Sequence, residues 1–131
     1  MSEKIQTDKA PEPVGMYPHA RRVGNLLFLS GVGPRKPGAK VIPGVMMDGQ
    51  GNAVGHDIET QCHSVFENVR IILEESGSSW ENLVDVTVFL TNMQRDFDTY
   101  NRIYAEYFKE NQPPRTTVEI KSLPTPIAIE L

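Results

Sequence analysis

Cysteine and tryptophan occur once each in these 131 residues, histidine only three times, and no apolar run approaches membrane-spanning length. Each scarcity excludes something. Cys62 alone cannot close an internal disulfide, and no second cysteine is present to share a zinc ion with it. The longest apolar stretches, such as Leu26-Leu27-Phe28-Leu29, fall far short of the ~20 residues a bilayer helix needs. The polar start Met1-Ser2-Glu3-Lys4 lacks the apolar core of a secretion signal, so cytoplasm is the expected location. Positive charge is also in deficit. Thirteen Lys and Arg against seventeen Asp and Glu leave a net charge of -4, the wrong sign for a chain that gathers phosphates. Neither nucleic acid nor a membrane is an expected partner.

What remains is a chain of ordinary globular composition, 39% hydrophobic and 23% charged, whose length suits one domain over residues 1–131. Residues 1–13 are polar and end in Ala10-Pro11-Glu12-Pro13, which reads as an extended lead-in. Arg21-Arg22-Val23, the turn pair Gly24-Asn25 and Leu26 to Ser30 read as a hairpin, with a central second strand apolar on both faces. Gly and Pro dominate from Gly31 to Gly55, where Val45-Met46-Met47 suggests an edge hairpin inside a long excursion.

Asp57 reads as the cap of a helix whose stripe runs through Ile58, Cys62, Val65, Phe66, Val69, Ile72 and Leu73 until Gly77 stops it. Val84, Val86, Val88 and Leu90 alternate with Asp85, Thr87, Phe89 and Thr91, which predicts a strand with one buried face. Asp96 is the expected cap of a second helix, with Phe97, Tyr100, Tyr104, Tyr107 and Phe108 inward and Asn111 with Pro113 closing it. Thr116 to Ile120 and Ile127 to Leu131 complete the strands.

This order predicts an α+β two-layer sandwich, a mixed β-sheet with two helices on one face. Two helices cover only one side. An apolar strand such as Leu26 to Leu29 then leaves an uncovered surface, and a closed homo-oligomer is the usual solution.

Arg115 follows two prolines at the mouth of a strand, in Pro113-Pro114-Arg115-Thr116-Thr117-Val118-Glu119. Its planar paired donors suit a carboxylate. Taken alone, the same residue also fits an exposed edge-strand charge.

Several separated segments together carry a resemblance: Tyr17 after Gly15, Gly24 to Gly31, Asn68-Val69, Val86 to Leu90, Tyr100-Asn101 with Tyr104, and Pro114 to Glu119. In this order they resemble the RidA (YjgF) family over nearly the whole chain. The resemblance implies a chorismate-mutase-like fold, a homotrimer with active sites in clefts between subunits, no cofactor and no metal, and hydrolysis of enamine or imine carboxylates to ketones and ammonia. It implies that Arg115 holds the substrate carboxylate and that Glu130 positions or activates water. Tyr17, Ser30, Gly31 and Asn101 match positions lining the same cleft. Each also has a plain structural reading: Gly31 as a strand end, Tyr17 as a core aromatic, Asn101 as a solvated helix residue.

Departures from the family pattern refine the expectation. Thr117 stands where many members carry cysteine, which puts thiol-based roles in doubt, and Cys62 falls on an apolar helix stripe rather than in its place. Relatives run on past the equivalent of Leu131, which would leave Glu130 beside a fraying end. The stretch from Pro34 to Val45 with Asp48-Gly49 is longer than the usual loop. With Gln61-Cys62-His63 and Leu90-Thr91-Asn92-Met93, it is similar to the 2-aminomuconate deaminase branch. That substrate, converted to 4-oxalocrotonate and ammonia, carries two carboxylates and calls for a second cation. Arg21, Arg22, Arg35, Arg102 and His19 are the candidates, with His19 favoured by its nearness to Tyr17. A general 2-aminoacrylate-type deaminase and a non-catalytic, chaperone-like carboxylate-binding trimer are the alternatives.

Overall fold

A computed structural model describes residues 2–131. Strand β1 (Ser2–Ile5) pairs antiparallel with β2 (Ala20–Val23), which pairs with β3 (Leu26–Leu29). The start of the expected lead-in is therefore a strand. Its polar residues suit a sheet edge: Glu3 lies opposite Arg22 and their side chains pair at 2.9 Å. The hairpin between β2 and β3 turns at Gly24, whose φ of +61° is the left-handed conformation such a turn demands.

Strands β4 (Val45–Met47) and β5 (Ala53–His56) form a hairpin within the Gly-rich excursion, but as a two-stranded sheet of their own and not at the edge of the main sheet as expected. Helix α1 (Ile58–Glu75) starts at Asp57, whose carboxylate accepts from the Thr60 backbone N–H. It ends at Ser76 and Gly77 (φ +78°), where Gly77 N–H donates to Glu74 O and Ser78 N–H to Leu73 O. Both ends lie where the sequence places them, because cap and stop are local chemistry.

A short 3-10 turn at Trp80–Asn82 leads to β6 (Val86–Leu90). Val84 precedes the strand and is exposed. Helix α2 (Met93–Tyr107) is capped by Asn92, which accepts from Arg95 N–H at 2.9 Å. Asp96 is thus not the cap. It lies one turn in, almost wholly buried, and takes two 2.7 Å bonds from the Arg95 guanidinium. Two cap-competent residues stand four apart, and the arginine beside Asp96 leaves Asn92 the cap position. Asn111 does not close the helix either. Its amide donates to Trp80 O and Leu83 O and ties down the connection that follows.

Strand β7 (Arg115–Glu119) runs parallel to β6, and β8 (Ile129–Glu130) runs antiparallel on its other side. Beyond β3, Val32 and Leu131 exchange backbone bonds of 2.7 and 2.9 Å. This bridge joins the two three-stranded sheets in the order β1-β2-β3-β8-β6-β7. Strand β3 is therefore interior to the joined sheet although it ends its own, and the chain end beside Glu130 is pinned rather than fraying. The architecture is the expected mixed α+β, two helices against one sheet face.

Side-chain alternation decides what each face carries. Val86, Val88 and Leu90 point into the core under the helices with Ile129, and their register partners Arg115, Thr117 and Glu119 share that face. Phe89 and its partners Val118 and Glu130 face the other way. That second face is apolar and bare: Leu26 is 52% and Phe28 59% exposed.

Candidate functional site

Two groups of residues stand out, one under α2 and one where the ends of β3 and β8 meet beside α1. The first is built around Arg115 at the start of β7, where the register with Val86 turns its side chain toward α2. The guanidinium carbon lies 4.6 Å from the ring centre of Tyr104, 5.4 Å from Tyr100 and 5.9 Å from Phe97. These rings recur at three and four residues along α2, so one helix face supplies all of them. Arg115 has no carboxylate partner among the described residues. The hydroxyls of Tyr104 and Thr117 are buried without a hydrogen-bond partner, and that of buried Tyr100 faces the Arg115 guanidinium. Burial pushes both phenols above their ordinary pKa, while the Arg115 charge pulls the other way. The half-buried cation, without a carboxylate partner, is the group here suited to an anion, while the hydroxyls beneath it are closed off from solvent. Asn101, one position past Tyr100 on α2, is exposed beside it.

The second group lies where β3 ends and β8 passes. Tyr17, Gly31, Gly33 and Arg35 line two adjoining clefts. His19 and Ser30 complete the wall of one, and Glu130 and Thr125 that of the other. A Cβ at Gly31 would come within 2.0 Å of Glu130 Oε1, so any larger residue there would displace this carboxylate from its position. Glycine at this point lets the carboxylate lie flat on the backbone. Burial raises the pKa of Glu130, and Arg35 partly opposes it.

Not every expected ligand is free to act. Ser30 spends its hydroxyl proton on Pro18 O at 2.7 Å. His19 is buried. Thr7 N–H donates to its Nδ1, and its Nε2–H donates to Pro11 O at 2.8 Å. Its ring therefore braces the N-terminal segment and offers no free donor. Of the other candidate cations, Arg22 is engaged with Glu3 and Ser76 O, and Arg102 with Glu59 and Glu106. Arg21 bonds Ser2 Oγ on the β1 edge. Of the five, Arg35 alone lines both clefts and alone borders the one that contains Glu130; His19 lines only the other.

One chain therefore gathers Tyr17, His19, Ser30, Gly31 and Glu130, and holds Arg115 and Asn101 apart on the helix side. The aromatic box around Arg115 is the feature that sequence reading missed as a unit. Its signal was present, since Phe97, Tyr100 and Tyr104 form the predicted stripe, but a core reading absorbed it. Cys62 is buried, with its thiol pushed up to about 12 by burial and by Asp96, which suits packing and not reactivity. Among the described residues no three His, Cys, Asp or Glu side chains gather as a metal site would need. No helix there is long and apolar enough to cross a membrane.

The family model described as endoribonuclease L-PSP matches residues 7–131. A RutC family protein of Pyrococcus abyssi is 40% identical over 129 residues, 98% of this chain and 92% of its own length. Reactive Intermediate Deaminase A, chloroplastic, of Arabidopsis thaliana is 36% identical over 129 residues, 98% of this chain and 63% of that protein. The crystal structure of E. coli TdcF with bound serine superposes with a TM-score of 0.82 at 30% identity, over 98% of this chain and 93% of that one.

Proposed function

Because the chain belongs to the endoribonuclease L-PSP (RidA) family, whose members act as enamine and imine deaminases, we propose that it hydrolyses an enamine or imine carboxylate, with 2-aminomuconate as substrate and 4-oxalocrotonate and ammonia as products. The observation that carries this reading is Arg115: a half-buried guanidinium over three aromatic rings, without a carboxylate partner among the described residues. A bound carboxylate would pair with its planar donors. The similar TdcF holds serine, a ligand with the same group.

The chemistry needs little more. The enamine tautomerises to its imine, which takes a proton from solvent; water attacks the iminium carbon, a C–O bond forms, and Glu130 takes the water's proton. Glu130 returns that proton to the amine nitrogen; as the C–N bond breaks and ammonia leaves, the hydroxyl oxygen becomes the ketone carbonyl and gives its proton back to Glu130. Holding the carboxylate beside the attacking water removes orientational freedom that the reaction in solution must lose. Arg115 and Glu130 lie on opposite faces of one sheet, so the complete site draws each from a different copy of the chain. The bare face carrying Leu26 and Phe28 supports such an assembly, a homotrimer in this reading.

An endonuclease reading, suggested by the family's descriptive name, is opposed by the net charge of -4. A broader specificity, toward 2-aminoacrylate, is favoured by the likeness to Reactive Intermediate Deaminase A. Ammonia release from each substrate by one preparation separates the two. Preference for 2-aminomuconate supports the narrower assignment, and preference for 2-aminoacrylate removes it. With either substrate, Arg115→Ala is expected to lower kcat/KM by about 100-fold or more. Full turnover by that variant would remove the role given to Arg115. Carboxylate binding that depends on Arg115, with no ammonia release above the uncatalysed rate, would leave a binding protein.

A further inference from the structure

The loop after Gly31 is held unusually firmly for a surface segment. Asn68, fully buried on α1, donates from its side-chain amide to Gly33 O at 2.9 Å and to Arg35 O at 2.7 Å. Ser64, one turn earlier on the same face, donates to the Pro34 carbonyl at 2.7 Å. Three consecutive carbonyls are thus fixed from below by one helix. The part of the loop so fixed ends in a half-buried arginine. The guanidinium of Arg35 gives one N–H to Glu12 O at 2.7 Å and has no carboxylate partner among the described residues. It borders both clefts that meet at Tyr17, one of which contains Glu130.

A fork of five donors with one occupied, on a backbone bonded at three successive carbonyls, is a preorganised anion contact. Its placement is also informative. A cation set for tuning Glu130 would be expected in direct contact with it, yet these two residues form no ion pair. The space beside them is left for a ligand. Resting on the deaminase reading above, we infer that Arg35 binds the second carboxylate of a dicarboxylate substrate and is the residue that sets preference for dicarboxylates over monocarboxylates. The first carboxylate goes to Arg115, and the reacting carbon lies between them, within reach of Glu130. A one-carboxylate ligand would leave Arg35 in water and gain nothing from it.

The test uses the full chain and two six-carbon dienes that cannot be deaminated: muconate, with two carboxylates, and sorbate, with one. Calorimetric titration of wild type and Arg35→Met is expected to show muconate affinity falling tenfold to a hundredfold in the variant, as befits a charge-assisted contact. The ratio of muconate to sorbate affinity should collapse toward one. Arg35→Lys should recover part of that ratio, since charge is kept and the fork is lost. Equal losses for both ligands, or no loss for muconate, would overturn the assignment. In parallel, kcat/KM for 2-aminomuconate relative to 2-aminoacrylate should fall by a similar factor in Arg35→Met. Wild type that binds muconate through Arg35 but releases no ammonia would overturn the deaminase reading and leave this one standing.

Discussion

Burial makes the Glu130 carboxyl harder to ionise than a free glutamate, and the Arg35 charge recovers only part of the difference. The native chain therefore binds a proton at Glu130 more readily than the unfolded chain. In the window from the ordinary 4.5 up to the raised native value, folding takes up a proton, and raising the pH through that window subtracts stability. The same shift acts on catalysis in the opposite sense, because the proposed base works only when ionised. The acid limb of kcat/KM is therefore expected above pH 4.5. In Arg35→Met it should move higher still, since the opposing charge is gone. A pH-rate profile of the two proteins checks this, and a limb that moves down on losing Arg35 would contradict the cause assigned here.

Among the elements, α1 does more than cover the sheet. Its apolar stripe was legible in the sequence, but a second, buried polar stripe runs through Gln61, Ser64 and Asn68. Gln61 accepts from Ala128 N–H and donates to Pro43 O, so this stripe holds both the Gly-rich excursion and the approach to β8. Asn68→Ala would take the donor from the half-buried carbonyls of Gly33 and Arg35, at a cost of about 0.5–1.5 kcal/mol for each bond. Urea unfolding should report that loss, and muconate affinity should fall with it as the Arg35 loop slackens. Polar residues at helical spacing are ordinarily a solvated face, which is why their role was invisible before the loop they hold was placed. The same limit explains the other differences. Asp57 and Gly77 were readable because a cap and a stop are decided within a turn of the chain. Asn92 and Asp96 were not separable locally, since the choice depends on Arg95. Ser2–Ile5 carries no apolar pattern, and its strand exists because β2 offers an edge and Arg22 a charge. The faces taken by Arg115 and Glu130 follow from registers with β6, which no local pattern in β7 or β8 records.

At the scale of the molecule, the sheet has one face under helices and one face of Leu26, Phe28 and Val118 open to water. A surface of that character is normally covered by a second protein chain. The proposed trimer covers it and at the same time brings an Arg115 box to a Glu130 cleft. Family and fold class were legible from scattered motifs, which also nominated the residues of the proposed site. The separation of those residues into two half-sites was not, because it is a property of the sheet and not of any segment.

In the proposed trimer, that separation opens the protein to genetic complementation. Arg115→Ala and Glu130→Gln chains, each inactive alone, would restore intact sites when unfolded together and refolded. With equal, random mixing in a cyclic assembly, about a quarter of the interfaces would pair a good arginine with a good glutamate. Recovery near that fraction is the expected result, measured as ammonia release. No recovery from a mixture shown to contain mixed oligomers would mean that one chain must supply both residues.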